Sequence, residues 1–381
     1  MPRKGSRCPR RAAGLTPAAT RDRFEHGSIS AAASAERHSA HVSLTIAFVK
    51  RRTFLGAVAA TSAASIVEHA DAAPAKPTAP QEAKPTKIVL LGTGTPAPSL
   101  ERAGSGYLFE VGGDTIVMDH GPDAHHRLLQ SGRRAVDVSR VFFTHLHYDH
   151  CVDYARLVLQ RWDQGADKIA DLEVYGPPPI KRMTDQLFSR DGVFGADIRA
   201  RIEHQSSIDV FRARGGATPR KWPVPRVREV QPGDVVEGNG WKVRVGRATH
   251  VQPFLECLAY RLDASDGSVC YTGDSGQSDE IVELARGCDV LIHMNHYFSG
   301  TAPTPAYRAA CGNHKDNAVV AQRAGVKTLV LTHLLAQIDH PRIREQIVHE
   351  IQETFSGKVV WGEDLMELTF AGPTIANIEG Y

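Results

Sequence analysis

The sequence lacks several features that would place it outside the ordinary globular proteins. Its 381 residues contain no uninterrupted apolar run of about 18 residues, so we expect no membrane-spanning helix in the mature protein. Its six cysteines include no CxxC pair, which argues against a thiolate zinc site and a disulfide framework. Hydrophobic residues make up 42% of the chain and charged residues 23%, a composition that excludes a disordered chain and is sufficient for a sizeable core.

An excess of charge of one sign is also missing, since the formal net charge is only +2. Residues 1–72 hold 11 Lys or Arg and 5 Asp or Glu, so residues 73–381 hold 34 basic and 38 acidic side chains. A general nucleic-acid binder needs positive charge to displace phosphate counterions, and this slightly acidic body has no such excess. We therefore expect no stable nucleic-acid or membrane partner.

The first 72 residues have the layout of an export signal. Lys50-Arg51-Arg52 precedes a mostly apolar stretch, 54–67, and Ala70-Asp71-Ala72 places small residues where a signal peptidase cuts. The adjacent arginines resemble a twin-arginine signal. The segment therefore predicts cleavage near Ala73, with export machinery as a partner and a periplasmic or secreted bacterial protein as the product.

The chain divides into three parts on composition. Residues 1–72 form the N-terminal extension and signal, in which 1–49 either precedes the true start or is a disordered extension. Residues 73–86 are a Pro/Ala linker, and 87–381 form one folded domain. Strand patterns alternate with helix patterns along this domain, which predicts a layered α/β or α+β fold.

The strongest functional signal is the segment His145-Leu146-His147-Tyr148-Asp149-His150, in which four metal-binding side chains fall within six residues. It lies between a predicted buried strand, 141–144, and a predicted helix, 151–162. In an extended chain His145 and His147 point to the same side. Imidazole nitrogens and a carboxylate at this spacing can bind two metal ions. The segment therefore predicts a dinuclear metal site at a strand end.

Three more candidate ligands stand at the ends of predicted strands further along the chain. His250, Asp274 and His333 each close or follow such a strand. Proteins of the α/β class gather functional groups at strand ends, so we expect these side chains to complete the site. Gly273 would let the backbone turn sharply and aim the carboxylate of Asp274.

With these residues in place, the sequence resembles the metallo-β-lactamase superfamily. The shared features are the HxHxDH motif, a later His, a Gly-Asp after a strand and a final Thr-His. The segments LGTGTP at 91–96 and CGNHKDNA at 311–318 resemble the ribonuclease Z-like branch, which also includes arylsulfatase-like and small phosphodiesterase members. The resemblance covers 87–370. It implies a four-layer αββα sandwich with two metal ions on one edge.

The resemblance also implies how the seven candidate ligands divide between the two ions. The sets are His145, His147 and His250 for one ion and Asp149, His150 and His333 for the other, with Asp274 bridging both. Zinc is the expected metal, and manganese or iron also suits these donors. A metal-bridging hydroxide would be the nucleophile, Asp149 would orient it and take its proton, and His314 would donate a proton or stabilise charge at the leaving group.

Further side chains are interpreted as supports of the ligands or as substrate contacts. His293 is a candidate support, His296 a candidate substrate contact, and Tyr148 belongs to this group through its place inside the metal motif. Members of the ribonuclease Z branch often have His-Glu where this chain has His293-Met294, so Met294 departs from the pattern. His120, at the end of another predicted strand, is interpreted as structural or as a further support.

The function we expect from the sequence is hydrolysis of a small phosphodiester or sulfate ester, with a small anionic ester as the substrate. Two alternatives stay open: a lactone or thioester hydrolase of the same fold, and a tRNA 3′-processing endoribonuclease, ribonuclease Z. The basic stretch 205–240 is interpreted as a solvated loop, and in the last alternative it would be an RNA-binding arm. A metal-binding module without catalysis is disfavoured, because all seven ligands and a proton donor occur together. A homodimer stays open.

Overall fold

The protein is described by a computed structural model that covers residues 85–373. The signal interpreted at 1–72 and residues 73–84 of the predicted linker lie outside the described residues. At the N-terminal end of the described part, the backbone N–H and hydroxyl of Thr86 donate hydrogen bonds of 2.6 and 2.8 Å to the carboxylate of Asp266. The folded domain therefore includes Thr86, one residue before the predicted boundary.

The first sheet contains eight strands, most of them from the first half of the domain. The strands are β1 (Lys87–Gly92), β2 (Gly106–Val111), β3 (Asp114–His120), β4 (Arg140–Phe142), β5 (Glu173–Gly176), β6 (Arg226–Glu229), β14 (Glu367–Thr369) and β15 (Gly372–Pro373). Their order is β15-β14-β1-β2-β3-β4-β5-β6. Strands β3 to β6 run parallel, so the carboxyl ends of β3 and β4 meet at one edge of the sheet.

The second sheet contains seven strands from the second half of the domain. The strands are β7 (Val235–Gly238), β8 (Trp241–Arg247), β9 (Leu258–Ala264), β10 (Gly267–Tyr271), β11 (Val290–Met294), β12 (Thr328–Thr332) and β13 (Lys358–Trp361). Their order is β13-β12-β11-β10-β9-β8-β7, with β10 to β13 parallel. The carboxyl ends of β10, β11 and β12 therefore also share one edge.

Helices flank both sheets. They are α1 (Ala124–Gln130), α2 (Tyr148–Cys151), α3 (Tyr154–Gly165), α4 (Ile180–Phe188), α5 (Gly195–Glu203), α6 (Gln205–Ala213), α7 (Asp279–Ala285), α8 (Pro305–Ala310), α9 (His314–Ala324) and α10 (Pro341–Gln352). Helix α9 has regular ends: the Asn313 side chain accepts from the backbone N–H of Asp316, and Gly325 ends the helix with a φ of 67°. Within residues 85–373, no helix has the length and apolarity to cross a membrane.

Three apolar cores fill the spaces between adjacent layers. The central core joins the inner faces of the two sheets and includes Tyr107 from β2 and Tyr260 from β9. A second core packs α7, α9 and α10 on the outer face of the second sheet, with Ile347 at 0% exposure. A third packs α1, α3, α4 and α5 on the first sheet around Leu157 and Phe143. The predicted four-layer αββα arrangement is therefore confirmed.

The stretch 205–240 differs from the solvated loop that the sequence predicted. It begins with helix α6 and contains strands β6 and β7. Phe211, on α6, is buried in the fold. The interpretation as a loop was wrong. It rested on the basic residues scattered through this segment, and the helix and strands here are too short to show a clear hydrophobic period in the sequence.

Candidate metal centre

The structure brings all seven predicted ligands to one edge of the sandwich, in two groups. Within each group the ligand atoms lie within 4.8 Å of one another. The groups are His145, His147, His250 and Asp274 in one, and Asp149, His150 and His333 in the other. Asp274 also lies between the groups, because its Oδ1 is 3.3 Å from Nε2 of His150 and its Oδ2 is 3.3 Å from Nε2 of His333.

Strand ends and turns in the left-handed backbone region place these side chains. Asp274 follows β10 through Gly273, whose φ is 56°. A Cβ at Gly273 would lie 2.7 Å from Cβ of Thr144, so only glycine fits this close approach. His333 follows β12 with a φ of 56°, a conformation that a non-glycine residue rarely adopts. Such backbone geometry is typical of functional sites.

Hydrogen bonds hold several imidazoles by Nδ1 and leave Nε2 for the site. Nδ1–H of His250 donates to the carbonyl of Ala310 at 2.8 Å. Nδ1 of His150 is 2.8 Å from Oδ2 of Asp119, and the buried Nε2 of His150 has no hydrogen-bond partner within the described residues. His145 is tied through its Nδ1 to the Thr144 hydroxyl at 3.1 Å. These contacts fix the ring orientations and the tautomer that binds a metal.

Asp119 is the residue that sequence reasoning missed as an organiser of the site. Its buried carboxylate accepts from the backbone N–H and the hydroxyl of Thr144, both at 2.8 Å, from His150, and from the Tyr271 hydroxyl at 2.7 Å. It therefore positions His150 directly and His145 through Thr144. Its place at the end of β3, beside β4, was the signal that could have identified it.

The donor set fits a divalent metal centre. Oδ1 of Asp149 and Nε2 of His150 are buried and have no hydrogen-bond partner within residues 85–373, which is costly unless a further group binds them. Burial lowers the pKa of His145 well below its ordinary value, so its imidazole is neutral. Burial opposes ionisation of Asp274, but coulombic attraction to the His333 and His150 rings holds its pKa well below the usual range, and a bound cation would take the place of the protons on those rings. Neutral imidazoles and ionised carboxylates are the forms that bind metals.

The three candidate support and substrate-contact residues lie around this centre. Buried His293 has its Nδ1 3.1 Å from the hydroxyl of Thr272, beside the turn that carries Asp274. The Tyr148 hydroxyl donates to the carbonyl of Pro96 at 2.9 Å, and the ring is 57% exposed at the rim. Nδ1 of His296 is 3.1 Å from Nδ1 of His333.

His314 is the predicted residue whose contacts lead away from the seven ligands. It begins α9 and is fully buried. Its Nε2 is 2.9 Å from the carboxylate of Glu350 on α10, and its Nδ1 accepts from the backbone N–H of Ser299 at 3.3 Å. The Phe298 ring packs against it, with centroids 4.7 Å apart. In this structure His314 joins the loop after His296 to α10, and none of its hydrogen bonds within residues 85–373 reaches the seven ligands.

Three arginines of the basic stretch 205–240 pair with aspartates. Asp163 accepts from Arg214 at 2.8 Å and from Arg220 at 3.0 Å. Arg226 pairs with Asp171, at 3.1 Å. The stretch therefore presents much less free positive charge than its sequence suggests.

Comparison with known proteins assigns the family. The family model described as a β-lactamase superfamily domain matches residues 114–334. Ribonuclease Z from Mycobacterium bovis (strain BCG / Pasteur 1173P2) is 31% identical over 286 residues, covering 73% of this chain and 96% of that protein. Ribonuclease Z from Mycobacterium sp. (strain KMS) is 32% identical over 257 residues, covering 66% of this chain and 85% of that protein.

Solved structures agree on the fold. The metallo-β-lactamase fold protein YhfI from Bacillus subtilis superposes with a TM-score of 0.57 at 20% identity, over 74% of this chain and 98% of that one. The short form of human tRNase Z gives a TM-score of 0.53 at 18% identity, over 74% and 99%. The two-sheet sandwich, the two His/Asp groups at its edge and these matches lead to one conclusion: the chain belongs to the metallo-β-lactamase superfamily and has the fold of its metal-dependent hydrolases.

Proposed function

We propose that the protein is a metal-dependent phosphodiesterase that cleaves RNA in the manner of a ribonuclease Z. The observation that carries the proposal is the pair of buried His/Asp groups around Asp274. It occurs in a chain whose relatives at 31% identity, matched over 96% of their length, are named ribonuclease Z. These relatives favour a phosphodiester over the sulfate ester, lactone and thioester considered from the sequence. Zinc is the metal we propose.

Two divalent cations held by the seven ligands would polarise a phosphoryl oxygen and lower the pKa of water. Asp149 has an Oδ1 without a hydrogen-bond partner within the described residues and an Oδ2 3.3 Å from Nε2 of His333. We expect Oδ1 to orient the attacking water and accept its proton.

His296 replaces His314 as the proposed hydrogen-bond donor to substrate. With a cation held at Nε2 of His333, its Nδ1 would carry the proton and donate to Nδ1 of His296, which lies 3.1 Å away. The neutral His296 ring then has an N–H at Nε2. Its side chain is half-buried beside the ligand His333, so this N–H can contact a phosphoryl or leaving-group oxygen.

A second candidate, hydrolysis of a small phosphodiester, rests on one specific observation. Arg214 and Arg220, which would belong to an RNA-binding arm, instead share the carboxylate of Asp163. A substrate without a large polyanionic body would need no such arm. This candidate also agrees with the proposed export through the signal at 1–72, since an exported enzyme would not meet tRNA precursors.

A substrate panel on one zinc-loaded preparation separates these functions. The substrates are a tRNA precursor with a 3′ trailer, a bis-aryl phosphate, an aryl sulfate, an acyl-homoserine lactone and an acyl-glutathione. Precise trimming of the precursor, absent in Asp274→Ala, would support the ribonuclease. Turnover of the bis-aryl phosphate without trimming would favour the small-substrate candidate. Dominant lactone, thioester or sulfate turnover would contradict both.

The proposed export has its own test. Mass spectrometry of the secreted or periplasmic protein should find a new N-terminus near Ala73. Substitution of Arg51→Lys with Arg52→Lys should trap the precursor, because the export machinery reads the paired arginines. An intact N-terminus in the cytoplasmic fraction would contradict the proposal.

A further inference from the structure

A cavity of about 580 Å³ lies on the first-sheet side of the protein, apart from the metal centre. Its walls come from the second half of α3, the segment 165–172 and the proline-rich segment 219–225. None of its lining residues belongs to the seven ligands. Helix α3 begins at Tyr154, three residues after the end of α2, the helix that carries Asp149 and His150. Trp162 lies eight residues further along α3, about 12 Å from Tyr154 at a rise of 1.5 Å per residue. The volume is in the range of small-molecule sites.

Aromatic and cationic side chains are layered in the walls. The Arg220 guanidinium carbon is 3.6 Å from the centroid of the Trp162 ring, and that of Arg190 is 5.0 Å from the centroid of Trp222. The indole N–H groups donate to the carbonyls of Lys221 and Phe188, at 2.8 and 2.5 Å. The rings are thus held in fixed orientations. Fixed indole planes are surfaces on which planar aromatic ligands stack.

One buried polar atom in the wall lacks a partner. The Arg220 side chain is only 3% exposed, and its terminal nitrogen donates to Asp163 and to the carbonyl of Trp162. Its Nε–H, however, has no acceptor within residues 85–373. The guanidinium lies between the Trp162 and Phe211 rings, whose centroids are 3.6 and 4.9 Å from its central carbon, so Arg220 supports the Trp162 ring from within the wall.

The charge of the walls favours an anion. Four basic and two acidic residues line the cavity. Both acidic residues are engaged: Asp167 accepts from the backbone N–H of Lys221 at 3.1 Å, and Asp171 pairs with Arg226 at 3.1 Å. Lys221 and Arg190, both exposed, have no carboxylate partner in the part of the chain that the structure describes. They remain available to a ligand phosphate.

From these observations we infer that the cavity is a second ligand site, which binds a nucleotide unit: a base against the indole planes of Trp162 and Trp222 and a phosphate at Arg190 and Lys221. The unit could come from a free nucleotide or from a single-stranded RNA. The inference does not depend on the chemistry at the metal centre, and so it goes beyond the proposed function.

The test is calorimetric titration of the purified protein with adenosine 5′-monophosphate. We expect one site, a Kd at least about 10-fold weaker for ribose 5-phosphate, which lacks the base, and a similar loss in the double variant Arg190→Ala/Lys221→Ala. Both substituted residues are exposed, so the fold should tolerate the change. Arg199→Ala, an exposed arginine on α5 that does not line the cavity, is the matched control and should bind as the unaltered protein does.

The same titration on Asp274→Ala separates this site from the metal centre. Retained binding supports the inference whether or not the protein trims RNA. Binding that is lost in Asp274→Ala but kept in Arg190→Ala/Lys221→Ala would place the nucleotide at the metals and overturn it, as would no binding at millimolar concentration. Displacement of the nucleotide by a six-residue single-stranded RNA would identify RNA as the source of the ligand, and failure to compete would identify a free nucleotide.

Discussion

Asp119 Oδ2 lies 2.8 Å from Nδ1 of His150, and the same carboxylate holds the Thr144 side chain that contacts His145. One buried acid thus orients a proposed ligand from each metal group. It accepts four hydrogen bonds from groups that are themselves buried. The orientation of the ligands therefore depends on a residue that is not itself a proposed metal ligand.

Asp119→Asn should weaken metal binding by about 10- to 100-fold, the usual cost of losing such a support. The amide cannot accept all the donors that converge on the carboxylate, so the His150 ring loses its anchor. Zinc competition with a chromophoric chelator measures the effect. Asp185→Asn, an exposed aspartate on α4, is the control. Unchanged zinc affinity in Asp119→Asn would contradict the role.

Asp274→Ala should remove both metals, because Asp274 contacts His150 and His333 of the second group and belongs to the first group. His250→Ala should be milder, since His250 belongs to the first group alone. Elemental analysis should find metal near zero per chain in Asp274→Ala and an intermediate content in His250→Ala. Equal contents in the two variants would contradict the sharing of Asp274.

His314→Ala should lower the free energy of unfolding by about 1–3 kcal/mol, because it leaves buried hydrogen-bonding groups unpaired. A double-mutant cycle with Glu350→Gln should reveal coupling between these two side chains. Urea unfolding measures both effects. If His314→Ala instead cut kcat by about 100-fold at unchanged stability, the proton-donor role expected from the sequence would be restored.

His120 should make the metal-free protein less stable as the pH falls below about 6.5. Its Nε2 is 3.2 Å from Nδ1 of His125, whose Nε2 is 2.8 Å from the Gln160 side chain. Burial lowers the pKa of His120 to about 3. Between that value and 6.5 the unfolded chain binds a proton that the folded chain does not. Stability is therefore complete above pH 6.5 and decreases by about 1.4 kcal/mol per pH unit below it.

The measurement is urea unfolding of chelator-treated protein from pH 5.0 to 7.5, in parallel with His120→Gln. The difference in unfolding free energy between the two proteins should shrink as the pH falls, since the variant lacks this proton uptake. His349→Gln, which removes an exposed imidazole on α10, is the matched control. A pH-independent difference would contradict the effect of burial on His120.

The clustering of the seven side chains could be predicted because metal-binding residues occur at strand ends in the sequence. His145, His147 and His150 lie next to a buried strand, and parallel strands bring their carboxyl ends to one edge, so convergence of the ligands could be expected. The four-layer fold followed from the same motif through the family resemblance. What spacing alone could not predict was the direction of a side chain at a helix start. His314 begins α9, and a side chain there can face the sheet edge or the neighbouring helix.

The arginines of 205–240 show that the sequence alone also cannot predict which charged side chains pair with one another. A list of residues shows Arg214 and Arg220 but not Asp163, which lies about fifty residues earlier in the chain and accepts from both. Asp119 was overlooked for a similar reason. Its importance arises from Thr144, His150 and Tyr271, which the sequence separates and the fold joins.

Each metal group draws on both halves of the polypeptide. His145 and His147 come from the first sheet, whereas His250 and Asp274 come from the second, and the other group is divided in the same way. Bound cations would therefore act as crosslinks between the two halves, in addition to the apolar core and ion pairs such as Arg102–Asp339 and Arg127–Asp364. During synthesis, the first half alone cannot assemble either site. The first half supplies only two residues to each group, so hydrolytic activity requires both halves to have docked.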